Sequence, residues 1–266
     1  MNILFGAMNS PLRDLLDEIH TIGRMGFDFI EITMDAPLSH YKEIETKIDR
    51  IRDVTIQYGL KVLCHMPTFL SPADLTPSIR DASQKEIMES LRVASLLSPL
   101  RITIHPPSIR GLGSFLKEEI KEMAMEFLKH IIDLADRLKV ELCVENMFEG
   151  SGLMTEIEDF FELLDRFPSI GITYDPAHAH IGDRGSKRTL EFIKTFKDHI
   201  RHVHLSDNFG KSDEHLPLGA GNLPLEQIIT SLKDIDYRGT ITLEVFSRDR
   251  DYLRVSHEKI KGLFKS

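Results

Sequence analysis

Two metal-ligand types stand two residues apart in Asp213-Glu214-His215, inside the stretch HVHLSDNFGKSDEHLPLGAGN that runs from His202 to Asn222. The stretch opens on an apolar run that carries His204. Upstream, one apolar run after another ends in a residue of the same kind: His65, His105, Glu145, and Asp175 with His178; Glu244 follows downstream. Imidazoles and carboxylates without ligating thiolates suit zinc, manganese or iron rather than a structural cysteine-type zinc site. A single acid at a strand end is ordinarily a helix cap or an ion-pair partner. Several brought to one face would crowd like charges together, at a cost that a bound cation relieves.

Elements that could converge these groups are legible in the hydropathy pattern. Eight short β-branched runs alternate with longer amphipathic segments. The predicted strands are 3–8, 27–34, 61–66, 100–105, 140–146, 170–174, 200–206 and 239–246. Helices are predicted over 13–25, 41–58, 81–97, 115–138, 156–166 and 187–197, then one with Pro224 near its first turn and one at the end of the chain. Thr155 is the expected N-cap of the helix over 156–166, and 68–78 reads as a Pro- and Ser-rich loop. Strand–helix units repeated eight times without a compositional break predict a single closed parallel (β/α)8 barrel over 1–266. In such a barrel, active residues gather at the carboxyl ends of the strands, where the candidate ligands fall. A doubly wound open sheet would want a glycine-rich phosphate turn after the first strand; GAMNSP is not one.

Alternation along each strand gives a finer expectation. If the ligands face inward, so do Thr103, Cys143, Thr173, His202 and Thr242 beneath them, a small polar layer expected to hydrogen-bond the ligands. Cys64 is expected to face the helices. Gly219, Gly221 and Asn222 either present backbone N–H groups to an anion or simply shape a loop before a helix. His20, His40, His130, His199 and His257 read as ordinary surface or core histidines, and His180 as an extension of its loop. The charged run 117–129 reads as a solvated helix face.

Composition bounds the partners. The 266 residues are 41% hydrophobic and 28% charged, with a formal net charge of −9, so the strongly basic footprint of many nucleic-acid binders is missing. Two cysteines and no CxxC give no disulfide framework. No apolar run approaches a membrane span and the first residues do not read as a signal peptide, so no membrane partner and a cytoplasmic location are expected. A homo-oligomer is compatible with the chain.

The motifs HMP, IHPPS, VENM, YDPAHA, HVHLSDN, DEHLPLGAGN and LEV, spread over nearly the whole chain, resemble the xylose-isomerase-like TIM barrel superfamily. That superfamily holds sugar and sugar-phosphate isomerases and epimerases and also endonuclease IV. Resemblance to the isomerase branch implies one divalent metal on Glu145, Asp175, His204 and Glu244, with the two glutamates moving a proton beside a carbonyl. Resemblance to endonuclease IV implies three zinc ions on His65, His105, Glu145, Asp175, His178, His204, Asp213, His215 and Glu244, with Glu145 shared between metals. All nine positions carry the expected residue type.

Departures separate the branches. AMNSP stands where endonuclease IV has a His-Val-Ser stretch with paired glycines, ENMFEGSGL replaces its Gly/Gln-rich run, and an Arg/Tyr-rich loop for entering a duplex is not evident. Against the epimerases, Phe209-Gly210-Lys211 stands where they often place an Arg. The favoured expectation is a metal-dependent isomerase or epimerase acting on a sugar or sugar phosphate through an enediolate. Its cofactors would be one to three Zn, Mn or Mg ions, with Glu145 and Glu244 catalytic and His178 and Lys211 contacting substrate. The alternative is a multinuclear zinc phosphodiesterase acting on abasic DNA; a barrel that only binds a metabolite is a third reading.

Overall fold

Each apolar run of the sequence becomes one strand of a closed barrel, and the strands pair in sequence order, β1 beside both β2 and β8. The computed structural model describes residues 3–109, 111–148, 150–183 and 185–265, so the outermost residues of the expected 1–266 domain lie outside it. The strands are β1 Leu4–Met8, β2 Phe29–Thr33, β3 Lys61–His65, β4 Ile102–Ile104, β5 Leu142–Glu145, β6 Gly171–Tyr174, β7 Ile200–Leu205 and β8 Thr240–Leu243. The helices are α1 Leu15–Arg24, α2 Tyr41–Thr46, α3 Ile48–Tyr58, α4 Pro77–Leu96, α5 Lys117–Leu138, α6 Ile157–Arg166, α7 Pro176–His180, α8 Lys187–Thr195, α9 Leu225–Asp234 and α10 Asp251–Lys265. No helix among the described residues is long and apolar enough to cross a membrane.

Alternation sorts the strand residues as expected. Ile104, Val144, Ile172, Val203 and Ile241 join one apolar core with the helices, and Cys64 belongs to that core. Thr103, Cys143, Thr173, His202 and Thr242 are fully buried. Thr103 bonds Thr173 from β4 to β6, and both His202 and Thr242 reach Glu31 on β2; such partners, on non-adjacent strands, meet only through the barrel interior. The interior floor is the Phe29 ring, which lies against Gly6.

Several boundaries differ from the sequence reading, each for a local reason. The helix expected over 41–58 breaks at Lys47, whose φ of −114° interrupts the helical path. The helix expected from 81 begins at Pro77, whose fixed φ and missing N–H suit a first turn. Residue 156, not Thr155, caps α6: the Asp159 carboxylate accepts the N–H groups of both Thr155 (3.0 Å) and Glu156 (3.1 Å). The short helix α7 falls where the sequence predicts a loop. It forms because Asp175 Oδ1 accepts the N–H groups of Ala177 and His178, with Pro176 in the first turn.

A Cβ at residue 6 would overlap the Phe29 ring, which is fully buried and has nowhere to retreat. Gly6→Ala is therefore expected to destabilise the fold by about 1–3 kcal/mol. In a chain of this size thermal unfolding should shift down by about 2–4 °C for each kcal/mol. An unchanged melting temperature would contradict this packing.

Candidate metal centre

The nine candidate ligands all fall at or just beyond the carboxyl ends of β3 to β8, and the barrel draws them into one cluster. Glu145, the last residue of β5, is its centre and has no solvent exposure. Its Oε1 lies 3.1 Å from His204 Nδ1 and 3.4 Å from His178 Nδ1; its Oε2 lies 3.1 Å from His105 Nε2 and 3.4 Å from His65 Nε2. His204 Nδ1 is also 3.1 Å from Glu244 Oε1, so two carboxylates flank one ring nitrogen. Asp213 Oδ2 gathers His178 Nε2 at 3.3 Å and His215 Nε2 at 2.9 Å. His215, at φ +47°, turns its ring so that Nδ1 comes back to 3.5 Å from Glu244 Oε2. Asp175 completes the group, 3.8 Å from His178 Nδ1.

Backbone partners fix which ring atoms face the centre. His65 Nδ1–H donates to the Met66 carbonyl (2.7 Å), which leaves Nε2 toward Glu145. Asn146 organises the next strand end. Its side chain accepts the Asp175 N–H (2.7 Å) and donates to the Asp175 carbonyl (2.8 Å), and its own carbonyl receives His178 Nδ1–H (2.9 Å). These tautomers follow from the partners each nitrogen has.

Protonation states are pushed apart within the cluster. Burial drives the Glu145 carboxyl up, but His204 and His105 outweigh it and hold it well below the usual range. Burial also drives Glu244 up, and there the pull of His204 and His215 does not prevail, so it reaches about 7. Burial pushes Asp213 up, yet His178 and His215 bring it well below its ordinary value. His178 and His204 resist burial and are raised well above theirs, by Asp175 and Glu145 respectively. Burial lowers His105. Both thiols stay protonated, Cys143 being pushed up to about 12 by burial, so neither offers a thiolate.

A divalent cation fits this donor set. Asp175 Oδ2, Asp213 Oδ1 and His215 Nδ1 are buried with no hydrogen-bond partner. Such orphaned acceptors are costly unless something positive completes them. Three groups drawn from the nine bring ligand atoms within 4.8 Å of one another: His65–Glu145–His204, Glu145–Asp175–His178 and Asp175–His204–Glu244. These distances suit hard and borderline cations held by N and O donors.

Above the cluster opens a cavity of about 730 Å³. His65, His105, His178, Asp213, His215 and Glu244 form its polar floor, while Leu12, Phe69, Phe148 and Phe246 stand in its apolar wall. Among the described lining residues there is no Lys or Arg. Lys211 is exposed and lies outside the lining.

Other expectations resolve locally. Asp207 accepts the N–H groups of Asn208, Gly219 and Leu223, so Gly219 spends its N–H inside the loop, and a Cβ on Gly221 would overlap the Asn208 carbonyl. The glycines shape a loop; they do not cradle an anion. His180 meets Asn222 (3.0 Å), and His257 stacks on Phe27. The polar layer beneath the ligands is present but works differently from expectation. Thr103 and Thr173 bond each other, and the contact from below to a ligand comes from Glu31, which the sequence reading missed. Its signal was available: a charged residue at the middle of Phe-Ile-Glu-Ile-Thr, in register with the inward positions.

Comparison with known proteins is consistent with this geometry. The family described as xylose isomerase-like TIM barrel matches residues 19–263. A crystal structure of a D-tagatose 3-epimerase-like protein has a TM-score of 0.86 and 27% identity, covering 99% of this chain and 97% of that one. The L-ribulose 3-epimerase of Methylomonas sp. (strain DH-1) is 26% identical over 238 residues, 85% of this chain and 76% of the relative. The probable endonuclease 4 of Aquifex aeolicus (strain VF5) is 22% identical over 259 residues, 90% of this chain and 89% of the relative.

Proton linkage gives a direct test of the cluster. Glu244 at about 7, and His65, His178, His204 and His215 above their ordinary values, hold protons that an arriving cation must displace. All five act in one direction: affinity rises as pH rises, by about tenfold per pH unit for each proton displaced. Titration with zinc at pH 6 and pH 8 should show at least about a tenfold tighter Kd at the higher pH. A pH-independent affinity would show that the cation binds elsewhere.

Proposed function

Since this chain belongs to the xylose isomerase-like TIM barrel family, we propose that it is a divalent-metal-dependent isomerase or epimerase of an uncharged sugar. The observation that carries the reading is the pair Glu145 and Glu244, which flank His204 Nδ1 at 3.1 Å each at the cavity floor and sit in different surroundings, Glu145 among four imidazoles and Glu244 beside two. Two carboxyls so placed are the natural base and acid of a proton transfer. The names carried by relatives, a D-tagatose 3-epimerase-like protein and an L-ribulose 3-epimerase, point to the same chemistry.

Glu145, Asp175, His204 and Glu244 would hold the cation, which supplies Lewis-acid polarisation of the substrate carbonyl. Glu145 would take the proton from the carbon beside that carbonyl, giving an enediolate, and Glu244, which faces the cavity across His204 from it, would return one. His178, on the cavity floor, holds a substrate hydroxyl. The apolar wall excludes water from the reacting carbon. A phosphorylated substrate would want a Lys or Arg, and none stands among the described lining residues.

One observation favours a second reading. Glu145 Oε2 is shared by His65 and His105, and the Asp213–His215 pair closes the other side, although a one-metal isomerase needs none of these four. They suit further cations and a phosphoester hydrolase, in line with the probable endonuclease 4 relative.

The two readings part on substrate. Metal-loaded protein is expected to exchange solvent deuterium into at least one member of a panel of free ketoses. Glu244→Gln should lose about 10²–10⁴-fold of that rate with bound metal counted in parallel, while Glu118→Gln on the exposed face of α5 retains it. Nicking of an abasic duplex, with no exchange into any ketose, would replace the isomerase by the hydrolase.

A further inference from the structure

Glu31 lies on β2 with no solvent exposure and takes no part in the proton transfer described above. Its carboxylate is nonetheless met by three donor groups. Oε2 accepts the Thr242 hydroxyl at 2.5 Å and His202 Nε2–H at 2.9 Å, and both oxygens lie 3.2 Å from His204 Nε2. His202 is fixed from its other side, where Nδ1 lies 2.7 Å from the Thr240 hydroxyl and 3.0 Å from the Thr240 carbonyl. Thr242 and His202 thus pin Glu31 from β8 and β7 and fix the direction from which it meets the His204 ring.

We propose that Glu31 is a positioning residue: by accepting His204 Nε2–H it holds that imidazole in the tautomer and orientation that turn the Nδ1 lone pair toward Glu145 and Glu244. The inference rests on His204 being a metal ligand, and it assigns the residue that makes it one. A His ligand whose second nitrogen donates to a fixed carboxylate is more basic and loses less orientational freedom on binding. Glu31, His202 and His204 also place ligand atoms within 4.8 Å of one another. There, however, the carboxylate is already met by three donors, whereas the orphaned acceptors all belong to Asp175, Asp213 and His215 on the other side of His204 Nδ1. The arrangement therefore serves the upper cluster; it is not a separate cation site. A Gln at residue 31 keeps the shape but turns an amide N–H₂ toward donors, so one of the three contacts must break.

The test uses the full chain and zinc alone, so no substrate need be known. Glu31→Gln is expected to weaken zinc binding by about 10–100-fold. In the zinc-loaded protein, where His204 keeps only its Nε2 proton, it should also shift the His204 Nε2–H ¹⁵N signal, because the acceptor of that proton is weakened. Thr103→Val removes a bond in the same interior layer that touches only Thr173 and should change neither readout. Thr242→Val, which removes one of the donors that pin Glu31, should weaken zinc in the same direction by less, and it carries the test if the Gln variant does not fold. Zinc affinity within about threefold of the parent chain, together with an unchanged His204 Nε2–H signal in the variant that folds, overturns the assignment. Failure of the parent chain to bind zinc at all would instead overturn the metal-centre reading beneath it.

Discussion

A carboxylate cut off from water must find its solvation in the protein, and Glu145 is that carboxylate. Four imidazoles from β3, the loop after β4, helix α7 and β7 supply it, two to each oxygen. Much of the mouth is then determined. His65 gives its other nitrogen to the Met66 carbonyl, His204 to Glu31 and His178 to Asp213, while His178 Nδ1, the nitrogen near Glu145, is anchored on the Asn146 carbonyl. Asn146 follows Glu145 in the chain and so can tie Asp175 to the same centre. Removing any one of these partners leaves a buried polar group unpaired, which costs more than the bond itself contributes.

The polar column continues downward. Barrel interiors are ordinarily layers of branched apolar side chains. Here Glu31, Thr103, Thr173, His202 and Thr242 occupy that space, with the Phe29 ring against Gly6 restoring an apolar floor beneath. Stability is then carried by the outer layer, where Ile104, Val144, Ile172, Val203 and Ile241 pack against the helices. The division frees the interior to hold groups that a hydrophobic core would exclude, and successive residues of a strand alternate between the two layers because its period is two.

That period is also why so much was legible in the sequence. Eight apolar runs with a ligand type after six of them carry both the barrel and its mouth, and the inward set of Thr103, Cys143, Thr173, His202 and Thr242 follows by counting in twos. What escaped depends on contacts between distant strands or on capping. Glu31 sits in a run that reads as an ordinary strand, and its partners are on β7 and β8, far away in sequence. The pairing of Thr103 with Thr173 likewise spans the interior, so the period predicts the facing but not the partner. Helix α7 is too short for periodicity and exists through the Asp175 cap, a residue legible as a ligand whose two oxygens divide the tasks: Oδ1 caps and Oδ2 faces the centre without a partner. Asp207 escaped because its work is to gather three loop N–H groups, which left Gly219 and Gly221 looking like an anion turn.

Ligand number and cavity wall speak to different questions. Nine ligands around Glu145 bear on how many cations the floor can hold, and the second face of Glu145, with His65 and His105, leaves room for more than one. What can approach that floor is decided above it. A nucleic-acid backbone brings a charge at every nucleotide and is ordinarily met by cationic side chains. The described wall offers Leu12, Phe69, Phe148 and Phe246 and no cation, on a chain of net charge −9. Aromatic and aliphatic surfaces suit the C–H faces of an uncharged ring, while the polar floor takes its oxygens. A polar floor of cation ligands beneath these apolar side chains is the feature on which the proposed carbonyl chemistry on a sugar rests. On the proposed isomerase reading, the extra histidines and the Asp213–His215 pair would orient hydroxyl groups around the carbon whose proton Glu145 and Glu244 would exchange.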